Sequence, residues 1–141
     1  MKISWNEETG VATVTINVFG AEFTGTAICH EDDTDMKSEL TGLHIAEARV
    51  IIKAYQHYKN NILKPQIQIL NKLMNEMKQG SYFDPRSQYV RLLRRKIAIL
   101  TKQLRKSEQL IELTKKDLRE YINTKETFYK KVRAKRLVKN D

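Results

Sequence analysis

Hydrophobic and polar positions follow two different periods along this chain. From Lys2 to Ile28 the period is two: Ile3 and Trp5 alternate with polar neighbours, and Ala12, Val14, Ile16 and Val18 interleave with Val11, Thr13, Thr15 and Asn17. Asn6 to Gly10 and Phe19-Gly20-Ala21 read as turns, and Glu22 to Ile28 as a third strand rich in β-branched residues. The pattern predicts a three-stranded antiparallel sheet over residues 1–29, its buried face carrying the even positions of the middle strand. Trp5 and Phe23 read as core residues, with a binding role for either as the alternative. Three short strands cannot bury enough apolar surface alone, so the sheet must rest on helices.

Beyond residue 34 the period becomes helical. Leu43, Ala46, Val50 and Ala54, then Ile62, Ile69, Leu70, Leu73 and Met77, mark a first arm over 34–79. Pro65 lies inside it, which predicts a kink or break near Asn60–Lys64. Tyr55, His57 and Tyr58, just before that break, pack against the sheet or form a polar-aromatic wall. Residues 80–87 form a hairpin loop, with Gly80 as a C′ residue and Ser87 as an N-cap.

A second helix follows over 87–137. Leu93, Ile97, Leu100, Leu104, Ser107, Ile111, Thr114, Leu118, Tyr121, Lys125, Phe128 and Val132 recur in steps of four and three, and nine of the twelve are apolar. Such a 3.5-residue repeat marks a helix packed lengthwise on another helix. The fold class is therefore α+β: a small N-terminal antiparallel sheet and a long antiparallel helical hairpin, the second helix with coiled-coil heptads, in a single domain of residues 1–141. At 1.5 Å per residue the second helix would be roughly 70 Å long. A second copy of the chain beside it, as a homodimer or higher homo-oligomer, is the simplest way to cover the stripe.

Charge changes the picture of that helix. Residues 1–85 hold 8 Lys/Arg against 11 Asp/Glu, a net −3, whereas residues 86–141 hold 18 against 6, a net +12. A basic helix behind a faintly acidic front calls for an anionic partner, or else the cations only solvate an exposed surface. One cysteine, Cys29, rules out an internal disulfide and suits a reducing compartment. No apolar run is long enough for a membrane span, which points to a protein of the cytoplasm.

The candidate chemistry is sparse. Cys29, His30, Glu31, Asp32, Asp33 and Asp35 look like metal ligands, but they lack the paired Cys/His spacing of zinc and the glycine of a calcium loop. Capping of the following helix by Thr34 and Asp35 is the better account, and no metal or cofactor is expected. No P-loop, G-x-S-x-G or H-E-x-x-H pattern occurs, so the expected role is non-catalytic. The hinge loop is more suggestive. Tyr82 and Phe83 precede Arg86, Arg91, Arg94 and Arg95, pairing aromatic rings that can stack on a base with guanidinium forks that bind phosphate. In the alternative, the two rings cap the hairpin and the arginines face water. A second basic surface spans Arg105–Arg136, with the run Lys130 to Lys139 as its densest part.

Two resemblances extend this reading. Gly25-x-Ala27-x-Cys29-His30-x-x-Asp33-x-Asp35 followed by Gly42-x-x-x-Ala46-x-x-Arg49 resembles a stretch found in small proteins of bacteriophages that infect Gram-positive hosts. The layout of small sheet and two long helices resembles phage-encoded anti-defence sponges that sequester cyclic nucleotide signals of bacterial immunity, such as those countering Thoeris. That resemblance implies a viral protein of the host cytoplasm that holds a cyclic nucleotide or ADP-ribose-derived signal without cleaving it. On the residues themselves, Tyr82, Phe83, Arg86, Arg91, Arg94 and Arg95 are the candidate ligand contacts. The alternative is a basic helical interaction protein that binds nucleic acid or inhibits a nucleic-acid-binding defence effector.

Overall fold

The computed structural model describes residues 1–28, 39–80 and 83–140, the side chains of 128–130 and 132–140 excepted. The Cys29–Asp35 junction and Tyr82 lie outside the described residues, as do the side chains of Phe128, Val132 and most of the basic run 130–139. Three strands, β1 (Lys2–Asn6), β2 (Val11–Val18) and β3 (Ala21–Ile28), precede the helices α1 (Glu39–His57), α2 (Lys64–Gln79) and α3 (Gln88–Asn140). The fold is α+β. The chain divides into two compact units, one of residues 1–54 and 112–141, the other of residues 55–111. Among the described residues no helix is long and apolar enough to cross a membrane.

In the first unit the sheet runs β1-β2-β3, antiparallel throughout. Its register sets Trp5 opposite Ala12, Ala12 opposite Ala27, Val14 opposite Gly25 and Ile16 opposite Phe23. Facing residues share a side, so the even positions of β2 form the inner face. Ala12 and Val14 are buried there, with Ala27, Ala46 and Val50, and Trp5, Ile16 and Phe23 pack around them. The β2–β3 turn holds Phe19 and Gly20 at φ 53° and 72°. Positive φ at both central positions is the type I′ geometry that matches strand twist, and Phe19 adopts it despite its Cβ.

Small residues let α1 approach this sheet. A Cβ at position 25 would collide with the Ala46 carbonyl oxygen and stand 2.7 Å from Val50 N, so the helix backbone lies directly on Gly25. Gly42 is almost as confined: a Cβ there would lie 3.0 Å from Ala12 Cβ and 3.1 Å from Trp5 Cζ3. Arg49 then reaches over β3 to donate from Nη1 to the Thr26 carbonyl at 2.8 Å, and Lys53 Nζ donates to the Thr24 carbonyl at 2.8 Å. Five residues of the phage-like stretch, Gly25, Ala27, Gly42, Ala46 and Arg49, thus build the sheet–helix contact. Its described part is a packing motif.

The second unit packs α2 antiparallel on the front of α3. Met74, Val90 and Leu93 are buried together, with Leu70, Leu73, Met77, Phe83 and Ile97 around them. Tyr58 donates its hydroxyl to Gln103 Oε1 at 3.4 Å, and Lys59 pairs with Glu108 at 3.6 Å. Tyr55 meets Tyr58 edge-on at 6.5 Å, and the Asn61 amide hydrogen-bonds His57 Nδ1 at 2.9 Å. These contacts of Tyr55, His57 and Tyr58 lie within the helical unit.

Residues Tyr58–Leu63 form a π-helical turn, in which Lys64 N–H bonds Lys59 O, five residues back. Pro65 falls in the first turn of α2, where a missing N–H costs least. The recurring positions of α3 differ in how far each is buried. Leu93, Leu100, Ser107 and Ile111 are buried in a single copy, and Ile97, Leu104, Thr114, Leu118 and Tyr121 half-buried.

Candidate anion-binding face

The hinge that opens α3 is tightly bonded by its own short side chains. Gly80 ends α2 at φ −75°, ψ 149°, extended backbone and not the left-handed C′ conformation expected of it. Its N–H returns to Met77 O at 3.1 Å, and Phe83 N–H to Gly80 O at 3.4 Å. Asp84 then organises the helix start: its Oδ1 accepts from Arg86 N–H at 2.9 Å and its carbonyl accepts from Ser87 N–H at 3.1 Å. Ser87 Oγ accepts from Val90 N–H at 3.2 Å, the N-cap that the sequence indicated. The donors that a helix N-terminus would offer an anion are partly consumed here, and the Asp84 carboxylate already meets the positive end of the helix dipole.

This geometry separates the six residues singled out from sequence. Phe83 is half-buried against Met74, Val90 and Leu93, closing the end of the hairpin rather than standing free to stack. Tyr82 lies outside the described residues. Arg86, Arg91, Arg94 and Arg95 are all exposed, and among the described residues none of them pairs with a carboxylate. Arg91, Arg94 and Arg95 share one face at the start of α3 by their spacing, while the ring of Phe83 packs into the hairpin.

The same surface continues beyond them. Between residues 86 and 107 the chain holds eight Lys/Arg and no Asp or Glu, and Lys96, Lys102, Arg105 and Lys106 are exposed like the arginines. Arg91, Arg95, Lys102 and Lys106 recur in steps of four, seven and four, which sets them on one line of the helix opposite the buried stripe. At 1.5 Å per residue this line extends about 22 Å. Lys102 belonged to neither surface read from the sequence and Lys106 only to the Arg105–Arg136 one, although the same helical spacing carries the line from Arg95 to both. Arrayed guanidinium and ammonium groups on one ridge can each meet a phosphate of an extended chain.

A cleft lies in the first unit. His44, Glu47, Ala48, Ile51, Thr114, Asp117 and Leu118 line a cleft of about 210 Å³. At its side the His44 ring stacks on Tyr121, centroids 4.0 Å apart and planes 30° apart, and Lys125 Nζ stands 5.6 Å from the Tyr121 ring centre. Two carboxylates at the cleft disfavour an anion. Among the described residues no three His, Cys, Asp or Glu side chains converge as a metal site. No protein-family model matches the chain, and neither a curated protein nor a solved structure is significantly similar to it.

Proposed function

We propose that this chain is a non-catalytic binder of nucleic acid, engaging backbone phosphates through the exposed cationic surface that runs from Arg86, just before α3, to Lys106. One observation carries the reading: the eight Lys and Arg side chains between 86 and 106, with no acid among them, are all exposed, and among the described residues none is paired within the chain. Unneutralised charges of one sign on a rigid helix are costly unless a partner of opposite sign supplies counter-charge. Cations spaced over about 22 Å of helix suit an extended polyanion better than a small one. The sequestration of a small cyclic nucleotide or ADP-ribose-derived signal in a viral setting keeps one support, the four arginines gathered within ten residues.

Fluorescence anisotropy with labelled duplex and single-stranded DNA, across a salt series, separates the two. If Arg91, Arg95, Lys102 and Lys106 each meet a phosphate, log K falls with log salt at a slope of about −3.6 on duplex DNA. Changing those four to Glu abolishes binding, whereas Phe83→Leu leaves it unchanged. A cyclic nucleotide recovered intact and stoichiometric from the purified protein by mass spectrometry, with no DNA binding at low salt, would replace this reading with sequestration.

A further inference from the structure

The two edges of the sheet are treated differently. β3, one edge strand, has Arg49 and Lys53 bonded to its carbonyls at Thr26 and Thr24, so two anchored cations stand along it. Fixed charge on an edge blocks the approach of another strand. β1, the other edge, has no such guard: among the described residues its backbone pairs with β2 and, at Asn6, with Gly10 of the turn, and no side chain bonds its outer side. Four of its five residues are exposed, and Trp5 is half-buried. Ile3 points to the inner face, directly opposite the buried Val14, yet remains 55% exposed. An apolar residue is left uncovered at the open edge of the sheet.

We propose that β1 is a self-association edge, at which two copies pair β1 antiparallel to β1 about a twofold axis at Ser4 and join their sheets into one of six strands. The sequence Lys2-Ile3-Ser4-Trp5-Asn6 is complementary to itself in that register. Ile3 falls opposite Trp5 of the second copy, twice, so that both apolar pairs extend the inner face across the junction. Lys2 falls opposite the neutral Asn6 of the second copy, so no like charges face each other along the strand pair. The guarded β3 edge makes the assembly close: with one open edge per copy, pairing stops at two, whereas two open edges would propagate an array.

Sedimentation equilibrium over a concentration series tests this, with Ser4→Cys in a Cys29→Ser background as a second measurement. Facing residues of an antiparallel pair stand within disulfide reach, so oxidation is expected to trap a covalent dimer through position 4. Asn17→Cys in the same background, at the other end of the sheet, is expected to stay monomeric. Ile3→Lys is expected to shift the mass from dimer to monomer while the circular dichroism stays that of the parent. A monomer at every concentration would overturn the proposal. So would a dimer that survives Ile3→Lys, or one cross-linked through Tyr89→Cys on the exposed side of α3 and not through position 4.

Discussion

The two units of this chain solve the burial problem with opposite materials. Where α1 meets the sheet, the buried residues are Ala12, Val14, Ala27, Ala46 and Val50 around Gly25 and Gly42. In the helical unit, Leu63, Met74, Val90, Leu93 and Leu100 fill the same role. The first contact works by closeness: backbone rests on backbone, and dispersion between many atoms at short range replaces large side chains. The second works by volume, with long side chains spanning a wider gap between helices. The difference teaches which kind of change each unit can bear. A close contact fails when something is added, and a filled one when something is removed.

The sharpest way to break this comparison is Gly25→Val. Its Cβ has no room beneath the Ala46 carbonyl, so the helix must lift from the sheet, at an expected cost of at least about 4 kcal/mol. Trp5, the sole tryptophan, lies in that contact, and its fluorescence in a urea titration reads the loss. A Trp5 transition left in place would show that closeness at Gly25 is not what holds the unit. Leu63→Ala reverses the experiment in the helical unit. Leu63 is 1% exposed, and truncating it should cost roughly 3 kcal/mol, seen as an earlier loss of helix by circular dichroism. A smaller effect than that of adding bulk at the same position would contradict the contrast. Ser87→Ala tests a detail common to neither packing mode. Removing the oxygen that accepts Val90 N–H should lower stability by about 1 kcal/mol, and Ser87→Asp should restore it.

These contrasts were unequally visible in the residues. The strands could be read because a period of two in Val, Ile and Thr has no helical counterpart, and the α3 stripe because large apolar residues recur over many turns. Gly25 and Gly42 carried no such signal. A glycine in a strand or helix marks a weak point until the neighbour that needs its empty space is known, and that neighbour lies in another element: Ala46 and Val50 of α1 for Gly25, Ala12 and Trp5 of the sheet for Gly42. The hinge was half legible. The Ser87 cap follows from local chemistry, but whether Phe83 faces water or the hairpin interior depends on where Met74 and Leu93 stand. The cationic ridge was legible as charge, and its extent beyond Arg95 only as geometry. The stacking of His44 on Tyr121 joins residues far apart in the chain, and nothing in the sequence brings them together.

The π-helical turn at Tyr58–Leu63 makes residue count a structural quantity. Tyr58 bonds Gln103 on α3, and Met74, sixteen residues on, is buried with Val90 and Leu93 on that same helix. On an unbroken α-helix, sixteen steps would leave the two side chains roughly 160° apart, nearly on opposite sides. One residue taken up in a wider turn removes about 100° of that angle and lets both face α3. The asparagines at 60 and 61 therefore matter less for what they are than for being there. In an alignment of lengths, a change of one residue in this turn would act as a rotation of everything that follows it, while a change of letter would pass almost unnoticed.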